Sequence, residues 1–203
     1  NLGGVSYAQA ARKHGTWALG LQFAGYGTMK QTDATGVITG SFSPKDILLS
    51  SLYAHDITSS LRGGIHAKLL YSSYESYTAL AVFFDLGINY YHAEKELSLS
   101  LVVKNLGGQL KKYDTENIAM PWDIQLGFSK TLHNVPFRFS ITAQHLTRWH
   151  LPFEKVNDVG ELEVKDNFAS NLFRHLVFGV DYIPSRNFYL AIGYDYKLSL
   201  IHI

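Results

Sequence analysis

Two histidines near a predicted loop, His145 and His150, are the residues in this chain best suited to binding a metal ion. Zinc proteases place two histidines at i and i+4 on one helix, with a glutamate directly after the first. Here four residues separate the pair, and no glutamate follows His145. The pattern does not favour a metal site, and we expect no metal or other cofactor.

Catalytic signatures are not found in the sequence either. The glycine pairs Gly3–Gly4, Gly63–Gly64 and Gly107–Gly108 lack the spacing and the following helix of a phosphate-binding loop. No serine lies in the Gly-x-Ser-x-Gly turn that activates a hydrolase nucleophile. We therefore expect a protein that is not an enzyme, in which these glycines bend strands or allow close backbone approach.

Charged residues on predicted strands have a clearer pattern. If neighbouring strands pair around their links, His66 falls opposite Asp85 and Lys104 opposite Asp123. Opposite charges that face each other across a ladder are mutually stabilising. The sequence predicts a polar network that stiffens the interior, in preference to a solute pathway. Its members are His66, Lys68, Asp85, Asn89, Lys104, Asp123 and Arg138.

A regular alternation of apolar and polar residues positions these side chains. In one segment, Leu97, Leu99, Leu101 and Val103 alternate with residues that are mostly polar. Successive side chains of a strand point to opposite faces, so this strand separates two different environments. Ten such strands are predicted, at residues 2–10, 16–26, 45–55, 61–72, 79–91, 97–106, 121–131, 136–147, 171–183 and 187–197.

The links between these strands alternate in length. Tight turns follow the odd-numbered strands, whereas the long connections 27–44, 107–120 and 147–170 follow even-numbered ones. An antiparallel up-and-down meander with its long loops on one rim is typical of a bacterial outer-membrane β-barrel. The sequence therefore predicts an all-β protein of this class, located in the outer membrane.

A soluble β-domain would also alternate, so composition has to separate the two. The polar face carries mostly Ser, Thr, Gln, Gly and Asn, while charge is concentrated in the connections. Aromatic residues collect near strand ends, as in the interfacial girdles of membrane barrels. These features favour the membrane barrel over a soluble β binding protein, which stays as an alternative.

Composition excludes other classes. No apolar run approaches the roughly 18–20 residues that a membrane-spanning helix needs. A formal net charge of +1 argues against nucleic-acid binding. With no cysteine, stability has to come from a hydrogen-bonded sheet instead of disulfides.

The strand count indicates an incomplete barrel. A barrel has to close in lipid, and both ends of this chain are interpreted as truncated. We expect about ten of fourteen strands, in a transmembrane β-barrel domain over residues 1–197. Residues 198–203 form an atypical tail that does not continue the pattern.

Several segments carry a family resemblance over most of residues 1–197. The more specific ones are Lys-Asn-Leu-Gly at 104–107 and Pro-Trp-Asp-Ile-Gln-Leu-Gly-Phe-Ser at 121–129. Supporting segments lie at 40–43, 71–91, 109–113 and 136–142. Together they resemble the PorQ family, outer-membrane barrels of the type IX secretion system. This family is related to PorV and, more remotely, to the fourteen-stranded fatty-acid transporter FadL.

The resemblance implies a non-catalytic role in protein secretion. PorQ-like proteins belong to the attachment complex that anchors exported proteins to lipopolysaccharide, with PorU, PorV and PorZ as partners. The loop 147–170 is the first candidate for binding such a partner, through Trp149, Leu151 and Phe153. Alternatively, this loop only folds over the barrel mouth. A FadL-like conduit for a hydrophobic small molecule is the alternative function.

Overall fold

The computed structural model describes residues 1–11, 15–75, 77–111, 121–151, 154–156, 162–164, 167–185 and 187–199. In chain order its elements are β1 (Leu2–Ala11), β2 (Gly15–Gly25), β3 (Met29–Thr32), β4 (Ile38–Phe42), β5 (Lys45–Asp56), β6 (Leu61–Tyr74), β7 (Tyr77–His92), β8 (Leu97–Lys111), β9 (Asp123–Thr131), β10 (Phe137–Ala143), β11 (Glu154–Val156), β12 (Leu162–Val164), α1 (Phe168–Arg174), β13 (Leu176–Ser185), β14 (Phe188–Asp195) and α2 (Tyr196–Ser199).

Ten of these strands form one antiparallel sheet, in the order β1-β2-β5-β6-β7-β8-β9-β10-β13-β14. The two remaining pairs, β3–β4 and β11–β12, are separate hairpins. The all-β class and the ten-stranded meander are thus confirmed. Strands β1 and β14 end the order, and closure into a barrel stays a prediction.

Two connections predicted as long loops contain structure of their own. The link after β2 forms the β3–β4 hairpin, whose turn is held by Asp33. The Asp33 side chain accepts hydrogen bonds from the backbone nitrogens of Thr35 and Val37, each at 2.9 Å. The connection after β10 contains the β11–β12 hairpin and α1.

Three strand boundaries differ from the prediction by four residues or more. Strand β8 continues to Lys111, five residues into a predicted loop. Strand β10 ends at Ala143, and His145 just beyond it has a positive φ of 59°, which does not continue a strand. Strand β13 begins at Leu176 because the residues before it form α1, capped by the Asn167 side chain.

The chain divides into two compact units, each described here by itself. The first comprises Asn1–Ile57, Arg62–Leu86 and Lys104–Trp122. The second comprises Thr58–Leu61, Gly87–Val103 and Asp123–Ile203.

The pattern of side-chain burial in both units is the reverse of that in a water-soluble sheet. Leu99 and Leu101 of β8 are 46% and 39% exposed, whereas Ser98 and Ser100, which alternate with them, are half-buried. Across the described residues, forty-four large apolar or aromatic side chains are exposed. The buried apolar residues of the same part of the chain are Ala79, Ala81, Phe83 and Leu151. The apolar face of the sheet is therefore its exposed face.

Small residues fill the polar face through pairs of glycine and serine on neighbouring strands. Gly20 lies opposite Ser50, and a Cβ atom at Gly20 would come within 2.8 Å of the serine Oγ. Gly179 and Ser140 are matched in the same way between β10 and β13. The serine hydroxyl occupies the space that a side chain at the glycine would need.

Gly107 is the glycine whose replacement should cost most. Its φ is +153°, and a Cβ atom there would overlap the backbone carbonyl of Val82. We expect Gly107→Ala to lower the free energy of unfolding by more than about 1 kcal/mol, measured by urea titration in detergent micelles. Gly108→Ala is the matched control, since nothing lies within 4 Å of a Cβ atom there. Equal stability of the two variants would contradict this assignment.

Candidate functional site

Four polar side chains of the first unit meet on the polar face, and we call them the Asp85 cluster: His66, Lys68, Asp85 and Asn105. The Lys68 ammonium donates to Asp85 Oδ1 at 2.7 Å and to Asn105 Oδ1 at 2.8 Å. His66 Nδ1 lies 3.2 Å from Asp85 Oδ2, so the predicted juxtaposition of these two residues is present. The structure brings three predicted residues together and adds Asn105.

Asn105 completes the cluster through its backbone conformation. It adopts a positive φ of 58°, which asparagine tolerates better than most residues. This orientation directs its backbone N–H to Asp85 Oδ1 at 2.8 Å. Sequence reasoning missed Asn105, although an asparagine two residues before a glycine in a long strand is a recognisable sign of local irregularity.

The Asp85 cluster is built to compensate charge. The side chains of Lys68 and Asp85 are each only 14% exposed, and each is the other's counter-ion. The Asp85 carboxylate is engaged by this ammonium and by the backbone N–H of Asn105. The cluster is therefore suited to tying β6, β7 and β8 together.

The other predicted network residues described in the second unit have separate partners. Asn89 accepts a hydrogen bond from the hydroxyl of Ser98 at 2.7 Å. Arg138 Nε donates to Asp181 Oδ2 at 2.6 Å, and Tyr189 donates its hydroxyl hydrogen to Asp181 Oδ1 at 2.9 Å. Asp181 and Tyr189 were not predicted, because the long connection before β13 does not restrict the register of β13 against β10.

Asp123 lies buried at the start of β9. Its Oδ2 atom accepts hydrogen bonds from the backbone N–H of His145 at 3.0 Å and from Gln125 Nε2 at 3.1 Å. The predicted pairing of Asp123 with Lys104 joins residues of the two units and stays a prediction.

The second site predicted from sequence is the connection after β10. Trp149 is 43% exposed, and its ring stacks on His175 with centroids 5.1 Å apart. Leu151 is buried and so offers little surface to a partner. Phe153 lies outside the described residues.

Buried polar side chains hold this connection in place. Asn171 Nδ2 donates to the Trp149 carbonyl oxygen at 2.5 Å, and Arg174 Nη1 donates to the Leu151 carbonyl oxygen at 2.7 Å. The His175 ring bridges the carbonyl oxygens of Gln144 and Trp149, at 2.8 and 3.0 Å. Asn171, Arg174 and His175 were not predicted. Their i, i+3, i+4 spacing is the signal of a shared helical face, but its burial depends on tertiary packing.

No protein-family model matches this chain, and no curated protein matches it.

Within the described residues, no three His, Asp or Glu side chains are grouped so that they could hold a metal ion. The helices in that part of the chain are too short or too polar to cross a membrane.

The Asp85 cluster predicts a large and specific cost of substitution. Asp85→Ala should lower the free energy of unfolding by about 3 kcal/mol, because it leaves the Lys68 ammonium partly buried without its counter-charge. Combining it with Lys68→Ala should give a coupling energy above about 0.5 kcal/mol in a urea-unfolding cycle. As a control, Asp56→Ala removes an ion pair with Arg62 whose side chains are 61% and 62% exposed. Additive single effects in the Lys68–Asp85 cycle would contradict direct pairing.

His145 predicts a component of the pH dependence of stability. Burial lowers its pKa, Lys197 acts in the same direction, and Asp123 opposes both. The unfolded chain therefore takes up this proton at a higher pH than the folded chain, so stability is complete near pH 7 and falls towards about pH 5. His145→Asn, which tolerates the positive φ, should flatten that part of the profile. Parallel profiles of unfolding midpoint against pH for the two proteins would refute this role.

Proposed function

We propose that this chain is part of an outer-membrane β-barrel protein that acts as a non-catalytic scaffold of a type IX secretion attachment complex. The observation that carries the membrane part is the exposed apolar face. It recurs from strand to strand, as in Leu19 and Leu21 of β2, Leu99 and Leu101 of β8, and Ile192 of β14.

Water would disfavour such a surface strongly. Each square ångström of apolar surface exposed to water costs about 25 cal/mol, and soluble monomers rarely expose contiguous apolar patches beyond a few hundred square ångströms. Lipid removes that cost, whereas the polar face keeps its own hydrogen-bonded partners. Lipid is therefore the environment that best fits both faces.

Strand length supports the same environment. A strand of ten residues such as β13 extends about 33 Å, and a tilt of about 40° reduces this to about 25 Å across the membrane. That height equals the apolar band of outer-membrane barrels. The proposal includes closure with further strands, for which fourteen is the expected total.

The scaffold role has two supports. The segments 104–107 and 121–129 resemble the PorQ family, and the first of them now has a structural reason, since Asn105 completes the Asp85 cluster and Gly107 contacts the β7 backbone. Charge pairing is the second support for a scaffold. Lys68 neutralises Asp85, and Arg138 neutralises Asp181. We propose PorU, PorV and PorZ, together with lipopolysaccharide, as the partners.

The membrane assignment predicts a clear laboratory behaviour. The protein should fractionate with outer membranes and require detergent. Without boiling, it should migrate faster on SDS gels than after boiling, because a folded barrel resists SDS. A protein that stays folded, monomeric and soluble without detergent would be a soluble β-domain instead.

Affinity purification from outer membranes then tests the scaffold role. Deleting residues 152–166 should release PorU and PorZ while the barrel remains heat-modifiable, because this segment belongs to the proposed partner loop. Deleting 112–120, another long connection, is the matched control. Failure to recover these partners even with the intact protein, together with saturable binding of a hydrophobic fluorescent probe, would favour the FadL-like alternative.

A further inference from the structure

Helix α1 has two chemically different sides. Asn171 and Arg174 are 3% and 2% exposed and bind the connection after β10. Phe168 and Phe173 are 71% and 46% exposed. This short helix is anchored by buried polar groups, while the phenylalanines near its two ends remain largely exposed.

The exposed side of α1 is continuous with the apolar face of the sheet. The ring of Phe173 lies 6.5 Å from that of Phe178 and 6.0 Å from that of Tyr196. Phe178 is on the same face of β13 as Val180, two residues further along, which is itself exposed. The helix thus extends the proposed lipid-facing surface beyond the loop end of β13.

A second aromatic cluster marks the opposite end of these strands. The Tyr182 ring lies 5.1 Å from Phe137 and 6.4 Å from Phe188, beside the short turn that joins β13 to β14. Aromatic residues at both ends of an apolar band are typical of the two interfaces of a membrane. The rings of Phe173, Phe178 and Tyr196 occupy the position of the aromatic belt at the loop end of the strands.

Residues around Trp149 fit the same interface. The Trp149 ring lies 5.9 Å from Phe168, and its sequence neighbours Arg148 and His150 are both exposed. Tryptophan accompanied by a cationic side chain suits the boundary between acyl chains and phosphate headgroups. These aromatic and cationic side chains therefore suit the boundary between acyl chains and headgroups.

We propose that the exposed side of α1 inserts into the outer leaflet and binds lipid at the boundary between headgroups and acyl chains. This inference rests on the proposed membrane location. Continuity with the apolar face of β13 favours lipid over a protein partner, which would be bound by the segment between β10 and α1. The buried contacts of Asn171 and Arg174 fix the depth of the helix.

Site-directed spin labelling can test the proposal, because the chain has no cysteine and each substitution creates a unique site. The labelled positions are Phe168→Cys and Phe173→Cys on α1. Ile192→Cys on β14, 69% exposed, is the lipid-facing reference, and Thr35→Cys in the exposed β3–β4 turn is the water-facing one. The protein is reconstituted in vesicles of phosphatidylcholine and phosphatidylglycerol, and collision rates with oxygen and with a water-soluble nickel complex are compared.

We expect both α1 labels to shift towards oxygen, as at Ile192, and away from the value at Thr35. If Ile192 is oxygen-accessible but both α1 labels are nickel-accessible, the membrane location stands and the anchoring role of α1 is wrong. If those labels become protected only when partner proteins are added, α1 binds protein instead of lipid. Nickel access at Ile192 as well would overturn the membrane location itself.

Discussion

Every strand of this sheet has to satisfy two environments at once, and the rest of the structure depends on that constraint. Large apolar side chains lie on the exposed face, as at Leu99 and Leu101, while small polar ones lie half-buried behind them. The few buried apolar residues of the described chain cannot supply a conventional core. Cohesion comes instead from continuous backbone pairing, which any strand also needs in order to sit in lipid.

The polar face of the sheet is filled by small side chains and by paired charges. Serine hydroxyls occupy the space beside Gly20 and Gly179, so neighbouring strands approach closely. Charged side chains are paired on this face, as Lys68 is with Asp85. Because an unmatched charge is costly away from bulk water, this pairing stabilises the face.

Left-handed backbone conformations at non-glycine residues mark the places where the regular sheet is interrupted. Asn105 turns an N–H towards Asp85, and His145, two residues beyond the end of β10, donates its own N–H to Asp123. In both cases a conformation that costs energy locally is offset by a hydrogen bond to a carboxylate that is buried or partly buried. Both residues make a polar contact that regular strand geometry alone would not provide.

Alternation and turn chemistry are local properties, so the sequence by itself determined the number, the order and the two faces of the ten main strands. It also determined that His66 faces Asp85, because a short link between adjacent strands restricts their register. Only the tertiary structure decided the pairing of Arg138 with Asp181 and the burial of Arg174 against the Leu151 carbonyl oxygen. These contacts span long or irregular connections, where no period in the sequence relates one residue to the other.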